Sequence, residues 1–240
     1  MAERKSQFAN GEIYHIVMRA IDGIDLFRDN KDYLRMIHDL FEFNDVNPAP
    51  SVFRVNFHRN KTNVTKSDLV TLNGERRKRD LLVEILAFCL MPNHVHLLLR
   101  QLRDNGISKF MQKFGGYALY FNGKYSRRGY LFQNRFREVH IDNDRQFSVV
   151  FVYIHTNPVA LIYPGWKERG VTNVPRAVKF IENYRWSSYT DYLGKKNFPS
   201  VTSRECIQDI IGGPDDCRVF VNEWLEFKHD FADFDEIALG

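Results

Sequence analysis

The sequence predicts an α+β fold, and three observations carry that expectation. Residues 13–19 (IYHIVMR) are dense in strand formers. Two apolar runs of strand length, 81–89 and 94–99, are separated only by the turn Met91-Pro92-Asn93. Elsewhere, around 31–43 and 144–157, apolar residues recur at helical spacing.

Taken in order, Ile13 to Arg19 reads as a strand. A helix follows over 31–43, where Tyr33, Leu34, Ile37, Leu40 and Phe41 share a face. Residues 44–80 hold Asn-Pro-Ala-Pro, polar stretches and the basic run Arg76 to Arg79, and read as an insertion or loop with at most a short helix. Leu81–Cys89 and His94–Leu99 then form a β-hairpin across the middle of a sheet. Ile107 to Phe121 is a helix, weakened by Gly115-Gly116. A loop at 123–129 leads into a strand or extended segment over 131–141. The next helix starts near Asp142 or Asp144, both good caps, and stops at Pro158. Asn183 to Leu193 is expected to be helical, and Cys206 to Lys228 to form one or two small helices around Gly212-Gly213-Pro214. The expected division is a main domain over 1–195, with the insertion near 44–80, and an acidic helical C-terminal extension over 196–240.

Composition narrows the classes. With 240 residues, 44% of them hydrophobic, the chain can bury a substantial core. No apolar run reaches the ~18 residues of a membrane helix, and the first residues lack the apolar stretch of a secretory signal. Cys89, Cys206 and Cys217 share no CxxC spacing, so free thiols in a reducing compartment are expected. The net charge of +4 is unevenly spread. Residues 100–137 hold nine Lys/Arg against Asp104 alone, a local +8, and the remainder is −4. Such a segment suits a phosphate backbone. Residues 205–240 hold ten acids and only two bases, so that end is not expected to touch DNA.

Two patterns carry chemistry. In a strand, His94 and His96 project to the same side, and two imidazoles on one rigid strand can share a metal ion. A pair of hydrogen-bonded histidines on a half-buried strand would give the same HxH. Position 98 is Leu, which excludes the third alternating His of a His-triad nucleotide hydrolase, and no HExxH helix is present. The second pattern lies in the helix ending at Pro158. Phe147, Val150, Phe151 and Ile154 form an apolar stripe, and Tyr153 and Asn157 stack on its flank. A phenol and an amide oxygen are thus offered together toward the His pair, although an ordinary partly buried tyrosine would fit the pattern too. Asn157 precedes a proline and is expected as a cap residue, outside helical geometry. Lys124, Arg127, Arg128, Arg135 and Arg137 are interleaved with Tyr125, Tyr130, Phe132 and Phe136, a mixture suited to single-stranded nucleic acid. Arg76 to Arg79 and Arg19 are weaker phosphate candidates.

Several blocks resemble one family. LAFCLMPNHVHLLLR, FNGKYSRRGYLFQNRFREVHI, VYIHTNPVAL and RWSSYTDYL, in this order, with the opening YHIVMRAIDGIDLF, are similar to the single-tyrosine HUH transposases, specifically the REP-associated tyrosine transposases. The resemblance covers roughly residues 11 to 195, interrupted at 44–80. It implies a ferredoxin-like antiparallel sheet with packed helices and the HUH strand central. It implies Tyr153 as nucleophile; Tyr117, Tyr120 and Tyr125 lie closer in sequence to the His pair, but Tyr153 is favoured because its helix carries the i+4 amide and matches the family block. His94 and His96 would be metal ligands, Asn157 a third ligand where relatives use Gln, and the metal Mg²⁺ or Mn²⁺. The implied reaction is nicking and rejoining of single-stranded or hairpin DNA through a 5′-phosphotyrosine. The implied setting is the cytoplasm of a bacterium or archaeon, at the nucleoid, with monomer and homodimer both open. Two other readings fit the residues: a binder of structured DNA with the same fold that no longer cuts, and a metal-dependent nucleotide hydrolase.

Overall fold

The computed structural model describes residues 8–47, 79–133 and 136–227. Four antiparallel strands form one sheet: β1 (Ile13–Arg19), β2 (Val83–Met91), β3 (His94–Gln101) and β4 (Arg137–Ile141), in spatial order β2-β3-β1-β4. A helix, Asn30–Glu42, connects β1 to β2, and two more, Gly106–Lys113 and Gly115–Lys124, connect β3 to β4. This strand–helix–strand–strand–helix–strand order and strand arrangement are ferredoxin-like, and β3, which carries His94 and His96, is interior, as expected. Its partner β2 is an outer strand, so the hairpin does not cross the middle.

Alternation along the strands divides the core in two. Tyr14, Ile16, Met18, Val95, Leu97 and Leu99 point to the face covered by the three connecting helices. The other face is covered by the helix Asp144–Thr156, which carries Tyr153 and is here called the tyrosine helix. Val150, Phe151 and Ile154 of that helix are fully buried. The helices Val174–Glu182 and Pro214–Phe227 back it, and Ala177, Ile181, Val221, Trp224 and Leu225 join the same cluster.

Several elements depart from expectation for local reasons. The helix expected over 107–121 is two helices meeting at Phe114, where Gly116 lies against the Phe43 ring. Within the strand or extended segment expected over 131–141, Arg137–Ile141 is a strand and Phe132 makes an isolated bridge to Ala20. The cap of the tyrosine helix is Asn143, whose side chain accepts from Gln146 N, rather than Asp142 or Asp144. Residues 183–193 are helical only over Tyr189–Tyr192. The stretch before it lies along β2 instead: Leu90 N donates to Trp186 O (2.8 Å), and Ser188 N donates to Phe88 O (3.0 Å). An outer strand with unpaired backbone groups recruits this chain, and that pairing outweighs the segment's own helical tendency. The helix Val174–Glu182, not anticipated, is capped by Asn173 and has Pro175 in its first turn.

Most of the 44–80 segment lies outside the described residues, as do Arg76 to Lys78 and Arg135. Its described ends are pinned. Asn44 Oδ1 accepts from Leu82 N and Val83 N, and Asn44 Nδ2 donates to Val83 O. Arg79 donates to the carbonyls of Phe41 and Asn44 and stacks on the Phe41 ring. Its guanidinium is therefore an internal tie. Cys89 and Cys217 are buried free thiols. Among the described residues no helix is long and apolar enough to cross a membrane.

Candidate active site

The site is built on the sheet face beneath the tyrosine helix. Strand register brings three rows together there: Met91, His94 and Arg19; then Cys89, His96, Val17 and Arg137; then Ala87, Leu98, His15 and Val139. His94 and His96 thus sit side by side, their rings 4.8 Å apart and nearly perpendicular. His15, which the sequence reading did not single out, lies diagonal to His96 on the neighbouring strand. Its Nε2 is 3.0 Å from His96 Nδ1, and the two rings stack at 5.2 Å. Nothing local marks His15, because its partner is distant in sequence and only the strand register brings them together.

These contacts fix ring orientation. His94 Nδ1 is 2.7 Å from Asn93 Oδ1. His96 Nδ1 is held by His15, and His96 Nε2 is buried with no hydrogen-bond partner. A buried ring nitrogen left in this way is costly unless something binds it. If Nε2 keeps its lone pair for a ligand, Nδ1 carries the proton and donates to His15 Nε2; outer hydrogen bonds of this kind orient metal-binding imidazoles. The protonation states agree. Burial, followed by the Arg19 and Lys167 charges, holds His94 down to about 4, against a weaker opposing hydrogen bond from the Asn157 side chain. Burial, then the neighbouring His94 and His15 rings, pushes His96 well below the usual imidazole range. Both rings are neutral at pH 7, the form that binds a metal. The pair therefore fits a divalent ion. Among the described residues no group of three or more His, Cys, Asp or Glu side chains is arranged to hold a metal ion.

Tyr153 faces this row. Its ring meets His96 edge-on at 5.5 Å and His15 at 5.9 Å. The side chain is 3% exposed, and the ammonium of Lys167 lies 3.9 Å from the ring centroid. Asn157 is buried, donates from Nδ2 to Tyr153 O (2.9 Å) and hydrogen-bonds with His94 through its side chain. It closes the helix but keeps a helical backbone (φ −49°, ψ −41°), because the chain runs straight on as a tighter turn over Asn157–Leu161. The expectation of a non-helical Asn157 is thereby corrected. The phenol, the His pair and Asn157 meet in one place. Tyr117, Tyr120 and Tyr125 lie under the opposite face, where their hydroxyls donate to Leu26 O and to the Asp32 carboxylate.

The basic candidates separate. Lys124 pairs with Asp29 (2.8 Å) and the fully buried Asp32 (2.6 Å), tying the Gly115–Lys124 helix to the start of the Asn30–Glu42 helix. Arg127 is bonded to Asn122 Oδ1 and the Gly129 carbonyl within its own loop. Arg128 is exposed, next to the 82% exposed Tyr130. Arg137 is also exposed and shares the strand row of His96, two strands away. Arg19, opposite His94, is half-buried. Phe132 and Phe136 are partly buried against the core.

The fold and site define an α+β protein with an imidazole pair on a central strand and a tyrosine on the helix above it. Residues 54–157 match the family model described as "Transposase IS200 like". The match contains His94, His96, Tyr153 and Asn157; it leaves out β1 and Lys167. Two chains of solved structures match. One, of a REP-associated tyrosine transposase bound to a REP hairpin, aligns over 85% of this chain and 93% of its own, at 15% identity and a TM-score of 0.43. No curated protein matches.

Proposed function

We propose that the protein is a metal-dependent transposase that nicks and rejoins single-stranded, hairpin-bearing DNA through Tyr153. The observation that carries this is the meeting of Tyr153 with His96 and His94 on one face, inside the transposase-matched segment. A phenol attacks phosphorus poorly unaided. His94 Nε2, His96 Nε2 and the Asn157 amide oxygen would hold Mg²⁺ or Mn²⁺. When bound, such an ion supplies charge to the phosphoryl oxygens. Imidazoles favour Mn²⁺ on affinity, while availability favours Mg²⁺.

In the step itself, the Tyr153 oxygen forms a bond to phosphorus and the P–O3′ bond breaks. The phenolic proton is replaced, through solvent, on the leaving 3′-oxygen. The products are a 3′-hydroxyl and a 5′-phosphotyrosyl end. Attack by a 3′-hydroxyl on that link reverses the step, rejoins DNA and returns the phenol. His15 acts on the orientation of His96, and Asn157 connects the helix end to His94. Arg128 and Arg137 would meet the backbone of the DNA approaching over β4.

The test is incubation with hairpin-bearing single-stranded oligonucleotides and Mn²⁺. A protein–DNA adduct that survives denaturation is expected, with its loss in Tyr153→Phe and in EDTA. Tight binding without adduct under any divalent ion would favour the non-cutting DNA binder. Turnover of a free nucleotide indifferent to Tyr153→Phe would favour the hydrolase.

A further inference from the structure

Lys167 has no part in the reading above, yet its ammonium lies against the phenol ring. It stands on a single helical turn, Trp166–Arg169, beyond the transposase-matched segment. That turn is well placed. Gly165 (φ +73°) opens it and Gly170 (φ +75°) closes it, both in the left-handed region where a side chain is disfavoured. Trp166 is buried in the core beneath, and Arg169 donates to the Pro164 carbonyl. The Lys167 ammonium is thereby carried to 3.9 Å from the Tyr153 ring centroid.

A second cation faces the same spot. Arg19 lies directly opposite His94 in the β1–β3 register, and its Nε is buried without a hydrogen-bond partner. A buried guanidinium donor with nothing to bond is costly unless a ligand accepts it. The charges of both Arg19 and Lys167 act on His94 and on His96, so both lie close to the pair. Two cations flank two neutral imidazoles and a phenol, and such a site suits an anion.

We propose that Lys167 is a catalytic residue that, together with Arg19, binds the non-bridging oxygens of the phosphodiester attacked by Tyr153. The proposal rests on the reading of Tyr153 as nucleophile. Lys167 lies over the nucleophile's ring and Arg19 beside the imidazoles, so the phosphate is gripped from two sides. As the P–O3′ bond breaks, charge on the phosphoryl oxygens is met by donors already in position, so less reorganisation is needed.

The test first maps the cleaved linkage from the 3′-hydroxyl fragment released by the Tyr153 protein. Binding is then measured in the Tyr153→Phe background, in EDTA so that no metal contributes. The oligonucleotide carries either the natural diester or an uncharged methylphosphonate at that linkage. With Lys167 present, removing the charge should weaken binding about tenfold. In Lys167→Met and Lys167→Gln the diester should bind more weakly and the penalty should shrink severalfold, with Lys167→Arg restoring most of it. With Tyr153 intact, the single-turnover rate of adduct formation should fall about 100-fold in Lys167→Met. An adduct that forms normally, with the same methylphosphonate penalty in the Met and Gln variants, overturns the role of Lys167 and leaves Tyr153 standing. No adduct from the Tyr153 protein overturns both.

Discussion

Imidazole orientation at the site is decided by single neighbours. Asn93 holds one nitrogen of His94, and His15 holds one of His96, which leaves His96 Nε2 as a buried, unbonded atom. The same burial makes a pH prediction. His94 is held down to about 4 and the fully buried His155 to about 3, against about 6.5 in an unfolded chain. Below pH 6.5 the unfolded chain binds protons that the fold refuses. These groups therefore contribute stability that is full above about 6.5 and is lost as pH falls toward 3–4. Thermal melts should show a lower Tm at pH 4.5 than at pH 7, and a rise on acidification would contradict this. At this scale the sequence was legible where chemistry is local. HxH showed two side chains on one face, and the i, i+4 spacing put Tyr153 with Asn157. His15 and Lys167 were not legible, because each meets the site only through strand register or a turn set by two glycines.

Among the elements, hydrophobic period was a good guide and charge density a poor one. β1 and the start of β3 fall where the density of strand formers and the Met91-Pro92-Asn93 turn put them. The 183–193 stretch does not become a helix throughout, because an outer strand takes its backbone groups, which a helical period cannot reveal. Within the basic cluster, counting charges did not separate Lys124 from Arg137. Lys124 is spent on a carboxylate pair that joins two helices, whereas Arg137 stands exposed in the row of His96. Lys124→Ala should therefore lower Tm, since Asp32 is left buried without its cation, and should change DNA affinity little. Arg137→Ala should leave Tm within about a degree, weaken DNA binding at low salt and reduce the salt slope by about one. Melting curves and salt-dependent binding isotherms check both, and the reverse assignment would overturn this division.

At the scale of the whole molecule, one sheet separates two cores, and their roles differ. The face toward the connecting helices is mostly apolar, with Gln101, Asp39, Asn44 and the Asp32 clasp as its buried polar groups, while the opposite face carries the His row. The tyrosine helix is held over that row from behind by the helices Val174–Glu182 and Pro214–Phe227. Trp224, 4% exposed on the last of these, belongs to the same cluster as Tyr153. Trp224→Ala should cost about 3–5 kcal/mol in denaturant unfolding, through lost burial and the cavity left behind. An effect below about 1 kcal/mol would mean that the C-terminal helix does not support the site. The acidic end therefore contributes packing even though it lies outside the transposase-matched segment.

The measurement closest to the central claim is diffraction from crystals soaked in Mn²⁺, recorded for anomalous scattering. The account predicts one peak at about 2.0–2.3 Å from Nε2 of both His94 and His96, on the side of the sheet facing Tyr153. A peak elsewhere, or none there at saturating Mn²⁺, would contradict it.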